Sequence, residues 1–398
     1  ASGRGPGAGR AAARRLAAMA LAPSWPILGW ARTPVAPVGG ALAACAVPDL
    51  TTPLITHLLQ RAGVPAQAVD ALILGNALGA NGNPARLAAL SAGLPDRVAA
   101  WTLDSQCCAG LDAITHACAL LALGQADIVI AGGAEAWSRA PIRQHRPRHA
   151  GEVAQIYERP AFAPPGRDRD MLDAAAAIAG AQSLARAAQE AWAVTSHARA
   201  LAAAPGDDVV PVAALLRDAY PRALTPARAA RMPVVRPGRS AAGQDCSLST
   251  VAISPKADGA ALLLLASPAA CQRWQLQPRA HWLGAVSVGA APETPMLAAQ
   301  CAALQLLQRH GLQAAALQVL ELHDAFAAQA LVFAQALGVP LAALNRQGGG
   351  LARGHPIGAS GAIALVQALA QLQPGQTGLA AIAGAGGLGS AVLVRLGL

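Results

Sequence analysis

Apolar residues recur along this 398-residue chain in two spacings, and their alternation predicts an ordered set of strands and helices. Residues 26–35 read as a first strand, and residues 50–62 as an amphipathic helix ended by Gly63. The short apolar run 69–74 has the character of a buried strand, and a Gly/Asn loop follows it through Asn83. Another strand-like run, 101–104, leads into the pair Cys107-Cys108. Residues 111–123 form an apolar stretch with many small side chains, ending at Gly124 as a buried helix should. A strand over 128–131 then closes in Gly132-Gly133. Near Ser138 the pattern breaks. From there to Ser240, Arg and Pro are frequent and one helix, 174–203, is predicted, which suggests an inserted, surface-exposed subdomain. Apolar patterning resumes over 260–265, 282–288 and 319–322. Strands alternating with helices point to α/β architecture, with sheets covered on both faces.

The order around residue 107 recurs near residue 360. There, Gly358-Ala359-Ser360-Gly361 precedes a helix to Leu372, a Pro374-Gly375 turn, a strand over 379–383 and Gly386-Gly387. A repeat at a distance of about 250 residues implies a duplicated domain rather than a solenoid. Two such halves packed face to face would bring both helix N-termini to one cleft.

Composition narrows the function classes. Aromatic residues make up only 3% of the chain, which argues against stacking modes of nucleic-acid binding. The net charge of +9 is almost all Arg, since Lys256 is the only lysine, and the Arg residues are dispersed. A small polyanionic substrate suits that charge better than nucleic acid does. The seven cysteines show no CxxC pair and no metal-ligand spacing, so a reducing, cytoplasmic setting is expected, with no metal. Asp112, His116 and Asp127 break the apolar candidates short of the ~18 residues a membrane helix needs, so none is expected. Residues 1–25, rich in Gly, Ala and Arg, are expected to be a disordered leader, with Met19 a candidate beginning.

Two segments carry chemistry. In LDSQCCAGLDAI, Cys107 lies between a strand and a helix, where unpaired amides and the helix dipole favour thiolate and can hold an oxyanion. An ordinary buried cysteine is the competing reading of this segment alone. In GGGLARGHPIGASGA, His355 sits in a glycine-dense loop before a helix, placed for proton transfer near neutral pH.

With both segments in hand, the chain resembles the thiolase family. The ordered matches are Ala31-Arg32-Thr33-Pro34, Asn83-Pro84-Ala85-Arg86, Gln106-Cys107-Cys108-Ala109-Gly110-Leu111 and Ala131-Gly132-Gly133-Ala134-Glu135. They continue with Ser196-His197, Asp258-Gly259-Ala260-Ala261, Asp324-Ala325-Phe326-Ala327-Ala328-Gln329 and the Gly354–Gly361 segment. The resemblance implies a five-layered αβαβα fold of two similar halves, residues 26–137 with 241–267 and residues 268–398. It also implies a loop domain, 138–240, that docks coenzyme A. Carried onto this chain, Cys107 would be the acylated nucleophile, and His355 would activate it and line an oxyanion hole. Ser254 and Phe326 would border the pantetheine arm, with Met171 near the thioester. Acyl-CoA and CoA would be substrates rather than cofactors, and the assembly a homodimer or homotetramer. No cofactor is implied.

The sequence departs from the family pattern at two places. The loop that begins Asn-Glu in most thiolases reads His323-Asp324 here. The second cysteine of the family, which moves the proton at the reacting carbon, aligns with Ala383, and a glycine of the second oxyanion hole becomes Ala385. The other position used for that cysteine, two residues after His323, holds Ala325. Three outcomes remain open. Cys108, Cys246 or His323 supplies the base for thiolysis or Claisen condensation. Alternatively, a Cys107/His323/His355 set supports decarboxylative condensation. In the third, carbon–carbon chemistry is lost, leaving acyl transfer or a non-catalytic subunit.

Overall fold

The computed structural model describes residues 24–79, 82–204 and 206–397. In the first half, β1 (Trp25–Arg32), α1 (Val47–Ala62), β2 (Ala71–Gly75), α2 (Pro84–Ser91) and β3 (Ala99–Leu103) lead to α3 (Ala109–Ala122) and β4 (Ile128–Ala136). Two helices, α4 (Met171–Ala181) and α5 (Arg186–Ala202), precede β5 (Ala257–Ala266). The second half consists of β6 (Ala280–Gly289), α6 (Ala298–Arg309), β7 (Val319–Leu322), α7 (Ala327–Leu337), α8 (Ser360–Gln371), β8 (Thr377–Gly384) and β9 (Leu388–Leu396).

The strands line up in the order β7-β8-β9-β6-β1-β5-β4-β2-β3. The two ends of this path are the two halves of the chain, joined where Trp25–Ile27 of β1 run antiparallel to Ala280–Trp282 of β6. Helices α3 and α8 pack against each other between the halves: α3 touches β2 and β4 on one side and β9 on the other, α8 touches β7 and β8 as well as β5. Helices α1 and α2 cover the outer face of one half, and α6 with α7 covers the other. That gives five layers, αβαβα.

The apolar runs without alternation belong to strands buried on both faces. In β5, Ala261, Leu263 and Leu265 face the central helices, while Leu262 and Leu264 face the outer core under α1. Helix α1 forms because Leu50, Leu54, Ile55, Leu58 and Leu59 recur on one face and bury there. It stops at Gly63, whose φ of 66° suits the left-handed cap.

Three expectations need correction. The single helix over 174–203 is two, α4 and α5, because the chain turns at Ser183, which adopts a left-handed φ of 51°. Strand β4 does not close at Gly132-Gly133 but continues to Ala136. A side chain at Gly132 would strike the Ala261 carbonyl and one at Gly133 the Gly358 carbonyl, so these glycines mark close packing, not an end. The leader expected over 1–25 lies outside the described residues up to residue 23, and Trp25 already belongs to β1. Among the described residues no helix is long and apolar enough to cross a membrane.

A buried charge cluster ties β1 to the loop ahead of α8. Asp218 accepts from Arg32 at 2.7 Å and from Arg353 at 2.8 Å. Burial pushes the Asp218 carboxyl up, but the Arg32 and Arg353 guanidiniums outweigh it and hold it at about 2. Its folded value lies below the unfolded one, so its stabilisation is present above about pH 4 and is lost as pH falls toward 2. Asp218→Asn should cost about 3–5 kcal/mol, since it leaves two guanidiniums buried against an amide. Urea denaturation at pH 7 measures this, and a loss under about 1 kcal/mol would contradict it.

Candidate active site

Gln106 takes a left-handed φ of 57°, which costs a non-glycine residue roughly 1 kcal/mol. Asp104 holds it there: its Oδ1 accepts from the Gln106 amide at 2.8 Å and from its Nε2 at 3.0 Å. Ser105 donates to Asp112 at 2.5 Å, fixing the same turn to α3. The turn presents Cys107 to an open cavity of about 440 Å³, immediately before α3 begins.

His355 reaches the thiol from the other half of the chain, with Nε2 at 3.2 Å from Cys107 Sγ. Its Nδ1 lies 2.7 Å from Ser360 Oγ, whose own hydrogen goes to the Pro356 carbonyl at 3.0 Å. Ser360 therefore accepts from Nδ1–H, and Nε2 is left bare to take a proton from sulfur.

The backbone around this pair is stitched across the halves. Buried Glu135 accepts from the Gly358 amide at 2.9 Å, from Asn76 Nδ2 at 2.7 Å and from the amides of Ala77 and Leu78. Burial pushes its carboxyl up to about 7 against the pull of those amides. Residues 253–256 form a strap: Ile253 pairs with Phe326, the Ser254 amide donates to the Ala325 carbonyl at 2.9 Å, and the Pro255 carbonyl accepts from the His355 amide at 2.7 Å.

Electrostatics oppose one expectation. A place before a helix favours thiolate, yet removal from solvent pushes the Cys107 thiol up to about 12, while the Ala385 amide pulls the other way. Burial likewise lowers His355 to about 4. At rest the couple is a neutral thiol beside a neutral imidazole, so proton and acyl transfer must be coupled.

The cavity brings together Cys107, His355, Ser254, Phe326, Met171, Ala383 and Ala385. It does not include His323. That ring stacks beneath His355 at 4.3 Å between centroids, buried, and faces a separate void of about 10 Å³ beside Gly350 and Ser360. The glycine at 350 makes this possible, since a Cβ there would lie 2.6 Å from the His323 ring. Burial, then the neighbouring His355, pushes His323 well below its ordinary value. Of the other candidate bases, Cys108 is fully buried with Sγ 3.8 Å from the Ile382 carbonyl. Cys246 packs behind α4 with Ala179 and Ala328. Neither lines the cavity.

Profile models of the thiolase N-terminal domain and C-terminal domain match residues 26–269 and 276–396. The chain belongs to the thiolase family. This thiolase is 35% identical over 378 residues to VraB of Staphylococcus haemolyticus, a candidate acetyl-CoA C-acetyltransferase, covering 92% of this chain and 97% of that one. It is 36% identical over 360 residues to YhfS of Bacillus subtilis, of the same description, covering 87% and 92%. Among solved structures, the Acat5 thiolase from Ascaris suum in complex with coenzyme A superposes with a TM-score of 0.85 at 28% identity, covering 94% of this chain and 100% of the other.

Sequence reasoning missed several residues of this thiolase site. Trp137, Arg143, Glu158, Arg159, Lys256 and Gln329 also line the cavity. Most come from loops with no periodic signal, so only their convergence in space reveals them. Ser360 and Glu135 belong to motifs of the sequence that assign them no role. A Ser five residues after a loop His, and an acid after paired glycines, become informative only once the hydrogen bonds are seen.

Proposed function

We propose that this thiolase captures acyl groups from acyl-CoA as a thioester on Cys107. The observation that carries the reading is the bare His355 Nε2 at 3.2 Å from Cys107 Sγ, at the wall of an open and mostly apolar cavity. His355 takes the thiol proton as sulfur attacks the thioester carbonyl, CoA thiolate leaves, and the Ala385 amide faces the developing charge at the thiol. Ser254, Phe326 and Met171 line the path a pantetheine arm would take, and the Ascaris suum relative was crystallised with coenzyme A. Arg143 and Arg159 supply positive charge at the same cavity for the phosphates.

The fate of the captured acyl group depends on which side chain moves the proton at the reacting carbon. Ala383 lines the cavity where the family resemblance places a cysteine, and Cys108, Cys246 and His323 all lie away from it. Acyl transfer or decarboxylative condensation, neither of which removes an α-proton, therefore stands as a second reading beside thiolysis. In the thiolytic reading His355 itself must return the proton it took from Cys107. Ala383→Cys should raise thiolysis of acetoacetyl-CoA by about 10²-fold or more, the usual worth of a placed acid–base group. An unchanged rate would show that another group already does this work, and malonyl-CoA decarboxylation by the unaltered chain would select the second reading.

A homodimer or homotetramer belongs to the same reading. Among the described residues, strand β3 ends the sheet with an unpaired edge and Trp101 is 47% exposed there, an edge suited to a second copy of the chain.

A further inference from the structure

Lys256 is the chain's only lysine among 30 Lys and Arg residues, and it lies on the wall of the cavity that holds Cys107 and His355. Its backbone pairs directly with that of His355. The ammonium lies over the Trp137 ring at 5.2 Å and pairs with Glu158 at 3.1 Å, while the side chain stays 54% exposed. A cation is thus held at the cavity that contains Cys107 by an aromatic face and a carboxylate. Every other basic side chain of the Lys and Arg set is a guanidinium, which does not acylate under the same conditions.

We infer that Lys256 is an acyl-acceptor site at which this thiolase becomes N-acylated by its own thioester substrates. The inference rests on the acyl-CoA reading above. In the step, the ammonium first passes a proton to Glu158 or to water. The free amine pair then attacks the thioester carbonyl, the C–S bond breaks, and the sulfur leaves as thiolate with its electrons. Loss of one further proton from the nitrogen gives a neutral amide. The product can no longer pair with Glu158, and the cavity loses its one ammonium.

The chain is incubated with acetyl-CoA, quenched and divided. One half is treated with neutral hydroxylamine, which strips thioesters and leaves amides, and both halves are mapped by mass spectrometry after a digestion that does not depend on lysine. Hydroxylamine-resistant acetyl on Lys256 is expected, formed roughly tenfold or more faster than on a lysine peptide under the same conditions, because the donor is held nearby. Two sources can supply the acyl group, and Cys107→Ala separates them. Loss of the amide in that variant assigns acyl-Cys107 as donor, and its persistence assigns bound acetyl-CoA; the site stands in either case. No resistant acetyl at Lys256, or formation no faster than on the peptide, overturns the inference. The functional reading fails separately, on the absence of a hydroxylamine-labile acetyl at Cys107.

Discussion

Cys107→Ala is expected to abolish covalent acyl capture. After incubation with acyl-CoA, the intact mass of the unaltered chain should rise by one thioester-bound acyl group, and that increment should be missing from the variant. Turnover should fall by about 10⁴- to 10⁶-fold, because binding contacts and oxyanion donors are all that remain when the nucleophile is removed. The fold should be little affected. Cys107 opens onto the cavity, and the turn that carries it is held by Asp104, Ser105 and Asp112 rather than by the thiol. A labile adduct that persists in the variant would assign the nucleophile elsewhere. The absence of any adduct across a panel of acyl-CoAs would favour the non-catalytic subunit.

The second large effect is expected at His355. His355→Ala removes the proton acceptor and should slow single-turnover acylation by about 10²- to 10⁴-fold. The pH profile distinguishes this from damage to packing. Burial holds His355 at about 4 and the Cys107 thiol at about 12, so both groups are neutral over the whole range between. Acylation by the unaltered chain should fall as pH drops through about 4, where the imidazole becomes protonated and can no longer accept. It should change little through neutrality. In the variant no acceptor remains, and the rate should instead climb in proportion to hydroxide as the thiol must ionise unaided. The same values predict no thiolate absorbance from Cys107 at about pH 7. A thiolate band at that pH would show a preformed ion pair and overturn the coupled transfer.

His323 shows how far motif reading reaches. The residue is legible as a departure from the family loop, and a Cys107/His323/His355 set comes from it by analogy. The structure does place the two imidazoles together, stacked at 4.3 Å. Yet only His355 lines the cavity, because Gly350 leaves room for His323 to pack beneath it. Sequence spacing cannot say which of two stacked rings faces a ligand. The buried position of His323 needs the absence of one Cβ, at Gly350, 27 positions away at the end of three consecutive glycines.

Helix and strand boundaries show a similar division. Residues 319–322 are legible to the residue because Val319, Leu320 and Leu322, broken only by Glu321, stand between the polar Gln318 and His323. The extent of β4 is not, because Gly132 and Gly133 usually punctuate a strand and here serve close packing on Ala261 and Gly358. The split between α4 and α5 is hidden in a run of Ala, whose helix propensity carries the pattern across a turn that Ser183 makes.

By itself the sequence determined the α/β alternation, the duplicated arrangement, the family and the two segments whose chemistry matters. Each of these is local or ordered along the chain: apolar period, glycine placement and collinear motifs need no knowledge of contacts. Only the tertiary structure decided that Cys107 and His355, 248 residues apart, meet at 3.2 Å, and that Ser360 sets the imidazole's tautomer. It also set burial, which pushes the Cys107 thiol up, against the helix terminus, which favours thiolate. The physical reason is that desolvation depends on everything packed around a group. A helix dipole can be read from neighbours in sequence, but the layers that remove water come from the whole chain.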